Sequence, residues 1–248
     1  MSQMLPLPRL SADADAPFPP VALALDEPNG LLAFGGDLSP TRLLNAYSQG
    51  IFPWYSNGQP ILWWSPDPRM VIAPGELHLS RRFRRELRRC AWQLAVNTRF
   101  AEIIGQCAEQ PRPGQYGTWI TAEMRAAYLR LHRLGHAHSV EVLDGGDLVG
   151  GIYGIAIGRM FFGESMVSLR PGGSKVAIAA LCRLLLQGSY VLLDGQVESP
   201  HLASLGFAPM PRSAFIAVCA RACAALPAAP LWQPRRLEFT AAALATPA

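Results

Sequence analysis

The stretch HSVEVLDGGDLVGGIYGIAIGRMFFGESM, from His138 to Met166, constrains the fold more than any other part of the chain. Turn signals at Asp144-Gly145 and Gly158-Arg159 cut it into three runs rich in β-branched and aromatic residues, which predicts three antiparallel strands. SKVAIAALCRLLLQG follows as a long apolar helix, with Ser174 expected as its cap. YVLLDGQV then reads as another strand, and a final helix is expected over roughly 213–226. A meander followed by helix, strand and helix makes an α+β layer architecture.

Upstream, DLSPTRLLNAYSQG reads as a helix. Ser39 is its expected cap, Pro40 its first residue and Gly50 its exit, with Leu43, Leu44 and Tyr47 as the apolar stripe. The segment IFPWYSNGQPILWWSPDPRMVI suggests a short hairpin around Asn57-Gly58, with Trp63 and Trp64 on its second arm. A helix opening at Ser80 carries an arginine cluster. Another is marked by Phe100, Ile103, Ile104 and Cys107, PRPGQYG is a loop, and a further helix runs from Thr121 to Gly135. The shift in composition near residue 70 divides the chain into a small N-terminal domain (1–70) with the aromatic-proline segment, a larger domain (71–236) and a tail (237–248), and no core role is expected after Pro234.

Several chemistries are disfavoured. No run of 18 apolar residues is present, so no membrane association is expected, and no signal peptide is evident. Five scattered cysteines without a CxxC pair fit reduced thiols in the cytoplasm. His132, His136 and His138 lack an HExxH spacing and Gly135 interrupts their helix, so no metal is expected. GGIYGIAIG has neither GxGxxG nor a following helix. Its glycines fit either a ligand lying against the sheet or a tight crossing of sheet and helix. GxSxG is absent.

Other residues invite chemistry. SRRFRRELRRC holds six arginines, and Arg81, Arg84 and Arg85 are candidates for phosphate contact. Lys175, the only lysine, stands beside Gly172 and Gly173 at a helix start that offers backbone N–H groups to an anion. Glu164 and Met166 pair a carboxylate with an apolar lip, which suits an ammonium beside an apolar side chain. Asp194 and Gln196 end a strand and point the same way if the extended backbone continues. FPWYSNGQPILWWSPDPR supplies tryptophans able to stack on a base, and Trp119 adds another at GTWIT.

Six blocks, EPNGLLAFGGDLSPTRLLNAYSQGIFPWYSNGQPILWWSPDPR, GTWIT, LHRLGHAHSVEV, LVGGIYGIAIGRMFFGESM, SKVAIAAL and LDGQVESPHLASLGF, together resemble the leucyl/phenylalanyl-tRNA–protein transferases over roughly residues 25–235. The resemblance implies a cytoplasmic enzyme whose larger domain has the acetyltransferase-related (GNAT-like) fold, with neither metal nor coenzyme A. It implies transfer of leucine or phenylalanine, less efficiently methionine, from Leu-tRNA or Phe-tRNA to a protein's N-terminal arginine or lysine. The product is an N-degron read by a Clp protease adaptor, and a monomer is expected. It further implies that Trp54 and Trp119 hold the aminoacyl-adenosine end, and that Glu164, Asp194 and Gln196 belong to the catalytic site.

The reaction is aminolysis of an ester, which needs a neutral amine aligned on the acyl carbon and help for the departing ribose oxygen. Gln196 is expected to hold the amine. Asp194 acts either as direct base or by orienting Gln196, and relay through the ribose 2′-hydroxyl also stays open. Ile152, Met166 and Leu181 are the expected acyl-pocket residues, with Leu181 standing where the family carries phenylalanine. Two rival readings are an acetyltransferase using coenzyme A, which lacks its pyrophosphate loop here, and a nucleic-acid-binding module, which leaves Glu164 and the Asp194/Gln196 pair without a purpose.

Overall fold

In the computed structural model, which describes residues 7–110 and 120–246, two sheets carry the chain. The smaller is N-terminal. Strands β1 (Arg9–Leu10) and β2 (Leu31–Gly35) precede helix α1 (Pro40–Ser48), and β3 (Phe52–Pro53) and β4 (Leu62–Trp64) form the expected hairpin, giving the order β1-β2-β4-β3. The ends of α1 are as its sequence dictates. Ser39 accepts the Arg42 N–H at 3.3 Å, Pro40 opens the helix, and Gly50 leaves it at φ 71°, where a side chain would be strained.

The chain then enters the larger sheet through β5 (Arg69–Ile72), helix α2 (Arg81–Leu87), β6 (Gln93–Val96) and helices α3 (Phe100–Glu109) and α4 (Ala122–Arg133). Next come the meander β7 (Ala137–Asp144), β8 (Asp147–Ile157) and β9 (Met160–Ser168), then α5 (Gly173–Gln187), β10 (Leu192–Asp194), α6 (Pro200–Ser204), β11 (Ala208–Met210), α7 (Arg212–Cys223) and β12 (Arg235–Arg236). The spatial order is β11-β5-β10-β9-β8-β7-β6-β12. Helices cover both faces. Val176, Leu181 and Leu185 of α5 pack with Val140 and Val149 on one, and Ile103, Tyr128 and Leu131 of α3 and α4 pack with Tyr153 and Ile155 on the other. Leu32, Leu43 and Trp63 of the N-terminal part join this second core.

Three expectations change. First, α5 starts at Gly173 with Gly172 as its cap at φ 88°, so Ser174 lies within the first turn and its N–H is taken by the Ser168 hydroxyl at 2.8 Å. The Gly173 N–H goes to Arg170 O at 3.0 Å, so these two backbone donors are spent inside the turn rather than offered to an anion. Second, the segment after Pro234 has a core role. Arg235 and Arg236 pair with β6, and Ala241, Leu244 and Ala245 are buried against the α5 side of the sheet. Third, of the two readings of GGIYGIAIG, the tight crossing applies at Gly150, where a Cβ would lie 2.6 Å from Gly173 Cα. Trp119 and the PRPGQYG loop lie outside the described residues.

Two irregularities in the main sheet create the site. β10 runs parallel to β9 from Leu192↔Met160 to Asp194↔Phe162 and then stops, while β9 continues to Ser168. The far half of β9 therefore loses its neighbour on that side, and a gap opens. Pairing with β8 also jumps, from Tyr153↔Ser165 to Gly154↔Gly163, so Glu164 is an extra residue with no partner across the ladder. A bulge of this kind re-aims a side chain. It needs glycine opposite, since a Cβ on Gly154 would lie 2.1 Å from Phe162 O.

Candidate active site

A cavity of about 430 Å³ fills the gap between β9 and β10, with Glu164, Asp194 and Gln196 on its wall. Ile152 and Met166, directly opposite each other across β8 and β9, also face it, and Trp54 contributes to its rim. Leu181 does not line it. That side chain is fully buried in the core on the α5 side of the sheet, and Ile178, one turn earlier on α5, faces the cavity instead.

Asp194 and Gln196 are together, but not as an extended strand would place them. β10 ends at Asp194, and Gln196 adopts φ 64°, a left-handed conformation that is costly for a residue with a Cβ. What holds it there is visible. The Gln196 N–H donates to Asp194 Oδ1 at 2.8 Å, and its carbonyl accepts from Met70 N–H at 3.2 Å. Asp194 is fixed in turn by Arg69 of β5, whose Nε and Nη2 donate to the two carboxylate oxygens at 2.8 and 2.7 Å. Both side chains are buried. The guanidinium also donates to Gly50 O at 3.0 Å and lies 4.7 Å from the ring centres of both Phe52 and Phe215. Asp194 thus spends its charge on Arg69 and its geometry on the backbone of Gln196.

Glu164 has a different environment. Gln196 Nε2 donates to its Oε1 at 2.8 Å, which turns the Gln196 carbonyl oxygen away from it. Tyr47 of α1 donates to Oε1 at 2.6 Å and Tyr128 of α4 to Oε2 at 2.8 Å. The two phenol oxygens are themselves 2.5 Å apart. Three contacts therefore close a ring of Glu164, Tyr47 and Tyr128, whereas two phenols supply only two protons. A proton on the carboxyl completes the set by reversing one contact, Oε2 then donating to Tyr128, Tyr128 to Tyr47 and Tyr47 to Oε1, whereas the charged carboxylate accepts from both phenols. The electrostatics agree. Burial, reinforced by the charge of Asp194, pushes Glu164 up to about 7 against the donated hydrogen bonds. Burial and the Glu164 charge also raise Tyr47 and Tyr128 well above the usual phenol value, so both keep their protons.

The arginine helix lies apart from this cluster. Its cap is Ser80, which accepts the Phe83 N–H at 3.2 Å. Arg81 and Arg85 are exposed and Arg84 is half-buried, and none of the three has a side-chain partner among the described residues. Arg82 pairs with Glu86 instead. Lys175 rests its ammonium 5.8 Å from the Phe83 ring, at the same edge of the molecule. Two of the three histidines make structural contacts. His132 stacks on Phe100 and bonds Ala137 O, while His138 is buried, accepts from Asn97 Nδ2 at 3.0 Å, stacks on Trp232 and is held neutral by burial, at about 3.

The leucyl/phenylalanyl-tRNA protein transferase model matches residues 71–220, and the model of that family's N-terminal domain matches residues 36–67. The chain belongs to this family. It is 59% identical over 235 residues to the leucyl/phenylalanyl-tRNA–protein transferase of Xanthomonas euvesicatoria pv. vesicatoria, covering 95% of this chain and 94% of that one. Against the transferase of Xylella fastidiosa it is 59% identical over 212 residues, covering 86% and 87%. Among solved structures it is similar to a GCN5-related N-acetyltransferase from Kribbella flavida, at 16% identity and TM-score 0.35 over 69% of this chain and 61% of that one. As a leucyl/phenylalanyl-tRNA–protein transferase, the enzyme moves leucine or phenylalanine from aminoacyl-tRNA to the N-terminal arginine or lysine of an acceptor protein.

Sequence reading missed Arg69, Tyr47 and Tyr128 as site residues. Tyr47 was expected only in an apolar stripe, and Arg69 stood in a run punctuated by prolines. A signal for the tyrosines existed in principle, because a buried phenol needs a partner.

Proposed function

We propose that Gln196 holds the attacking amine and that Glu164 handles the proton of the transfer. The new bond forms between the acceptor's α-amine nitrogen and the acyl carbon, and the bond from that carbon to the ribose oxygen breaks. Nitrogen must lose a proton and the ribose oxygen must gain one. Gln196 relays the first, its carbonyl oxygen taking the amine's proton as its Nε2–H passes one to the Glu164 carboxylate, and the reverse shift lets the resulting acid supply the second. The ring of Glu164, Tyr47 and Tyr128 carries this reading, because it accommodates both the charged and the neutral carboxyl. A group at about 7 also suits either direction of transfer near neutral pH. Asp194, paired with Arg69, acts as the orienter of Gln196 rather than as the base. Single-turnover transfer to an arginine-starting peptide tests it. At saturating aminoacyl-tRNA, log rate should rise with a slope near two below pH 7, since both a neutral amine and an ionised Glu164 are required. A slope of one would reject Glu164.

The donor's acyl side chain occupies the apolar wall of Ile152, Met166 and Ile178, and its adenosine stacks on Trp54, with Trp119 in the same role by resemblance to the family. Ile152→Phe narrows this wall. It is expected to slow transfer of phenylalanine more than of leucine, by about 1–3 kcal/mol of overpacking. Competition between the two charged tRNAs measures the ratio, and equal losses would remove Ile152 from the pocket.

Arg81, Arg84, Arg85 and Lys175 contact tRNA phosphates under the same proposal. Changing the three arginines to glutamine should weaken tRNA binding and flatten its dependence on salt, by roughly 0.7–0.9 of a slope unit per lost contact. Binding isotherms over a salt series check it, and an unchanged slope would place these arginines on a merely solvated face. The enzyme works in the cytoplasm, by resemblance to its family, and no helix among the described residues is long and apolar enough to cross a membrane. It works as a monomer, and its product is delivered to a Clp protease adaptor.

A further inference from the structure

Three carboxylates stand on the cavity wall, and only one has no partner. Asp194 is buried, accepts twice from Arg69 and once from the Gln196 N–H. Glu164 is buried and accepts from Tyr47, Tyr128 and Gln196. Glu198 is exposed and makes no hydrogen bond or ion pair among the described residues. The cavity wall contains no arginine or lysine among the described residues, so the charge of Glu198 is unbalanced there.

Its position is fixed from both sides. Upstream, Gln196 is held by Asp194 and by Met70, and Gly195 N–H donates to Met70 O at 2.8 Å. Downstream, Ser199 caps α6 by accepting the Leu202 N–H at 3.3 Å, with Pro200 as the first helical residue. Val197 and Glu198 are a two-residue span between these anchors. The Cα atoms of Gln196 and Glu198 therefore lie within about 7 Å of each other.

We propose that Glu198 receives the cationic side chain of the acceptor's N-terminal arginine or lysine, and so selects the acceptor. The inference rests on the reading that Gln196 holds the α-amine. An acceptor bound there has its own first side chain beside the amine, within reach of the next carboxylate along the wall. A guanidinium or ammonium entering this partly enclosed site loses water and needs an anion in return. Asp194 cannot supply one without abandoning Arg69, and Glu164 is enclosed by its three donors. Glu198 has its charge free and leads toward solvent, which leaves room for side chains as different in length as arginine and lysine.

The experiment compares two peptides that differ only at the first residue, arginine or its neutral isostere citrulline, with wild-type enzyme and with Glu198→Gln. The wild type should prefer arginine. Glu198→Gln should raise KM for the arginine peptide by about 2–5-fold, the scale of an ion pair at an exposed carboxylate. It should leave kcat, KM for Leu-tRNA and transfer to citrulline nearly unchanged, so that the preference collapses. A preference retained at its wild-type size would overturn the proposal. Gln196→Ala, run with the same peptides, separates the two readings. It should slow both acceptors alike while keeping the arginine preference, whereas normal transfer by that variant would reject the placement of the amine.

Discussion

Replacing Glu164 with glutamine is expected to slow aminoacyl transfer by about 10²–10⁴-fold while aminoacyl-tRNA still binds. Glutamine keeps the shape of the neutral acid and provides an N–H for the third contact of the ring, so the two tyrosines retain partners. What it cannot do is exchange a proton. The pH profile should therefore change along with the rate. Below pH 7 the slope of log rate should fall from two to one, because only the acceptor amine, with an ordinary value near 8, would still titrate. A near-normal rate would assign the proton to another route, such as the ribose 2′-hydroxyl.

The same variant has a signature in stability. A carboxyl whose folded value is raised binds its proton more tightly when folded, so the protein is favoured below the unfolded value. That advantage is lost as pH rises from 4.5, the ordinary value, through about 7. The interval corresponds to about 3 kcal/mol. Urea midpoints of the wild type should therefore fall across this window. In Glu164→Gln that component should vanish, and a pH dependence unchanged by the substitution would show that Glu164 is not the group responsible.

Arg69→Met is expected to destabilise the protein by about 3–5 kcal/mol, because it leaves Asp194 charged, buried and unpaired. For a fold worth about 5–15 kcal/mol this is a large share. Transfer should fall as well, since a displaced Asp194 no longer holds Gln196 at φ 64°. Arg69→Met combined with Asp194→Leu separates the effects. Removing both charges should restore much of the lost stability, whereas transfer should stay low because the Gln196 N–H still lacks its acceptor. If the double variant is no more stable than the single one, the ion pair is not what Arg69 contributes.

These expectations depend on features that differ in how plainly the sequence carries them. The meander was legible because Asp144-Gly145 and Gly158-Arg159 mark its turns locally. The caps at Ser39, Ser80 and Thr121 were legible for the same reason, each lying within three residues of its partner. Strands β5, β6, β11 and β12 were not, because two to four residues carry no usable alternation and their pairing comes from distant chain. In the site, the grouping of Asp194, Gln196 and Glu164 could be read from local strand-end chemistry and from the resemblance to a family. Their geometry could not. A left-handed glutamine is dictated by contacts to Asp194 and Met70, and the ring around Glu164 joins residues as far apart as 47 and 164. The expectation for Leu181 follows from the expected meeting of sheet and helix and from the family's phenylalanine position, while the pitch of α5 over the sheet presents Ile178.

The bulge on β9 has a consequence for how such an enzyme can change over generations. Glu164 is surplus to the ladder, since the pairs on either side, Tyr153↔Ser165 and Gly154↔Gly163, close without it. The scaffold and the chemistry are thus written in different residues of one strand. Substitution at this position leaves the ladder pairs in place, so under the proposed role of Glu164 relatives with another chemistry need not have rebuilt the sheet. The residues flanking it have no such freedom, because moving either one shifts the parity of the strand and turns Met166 away from the cavity.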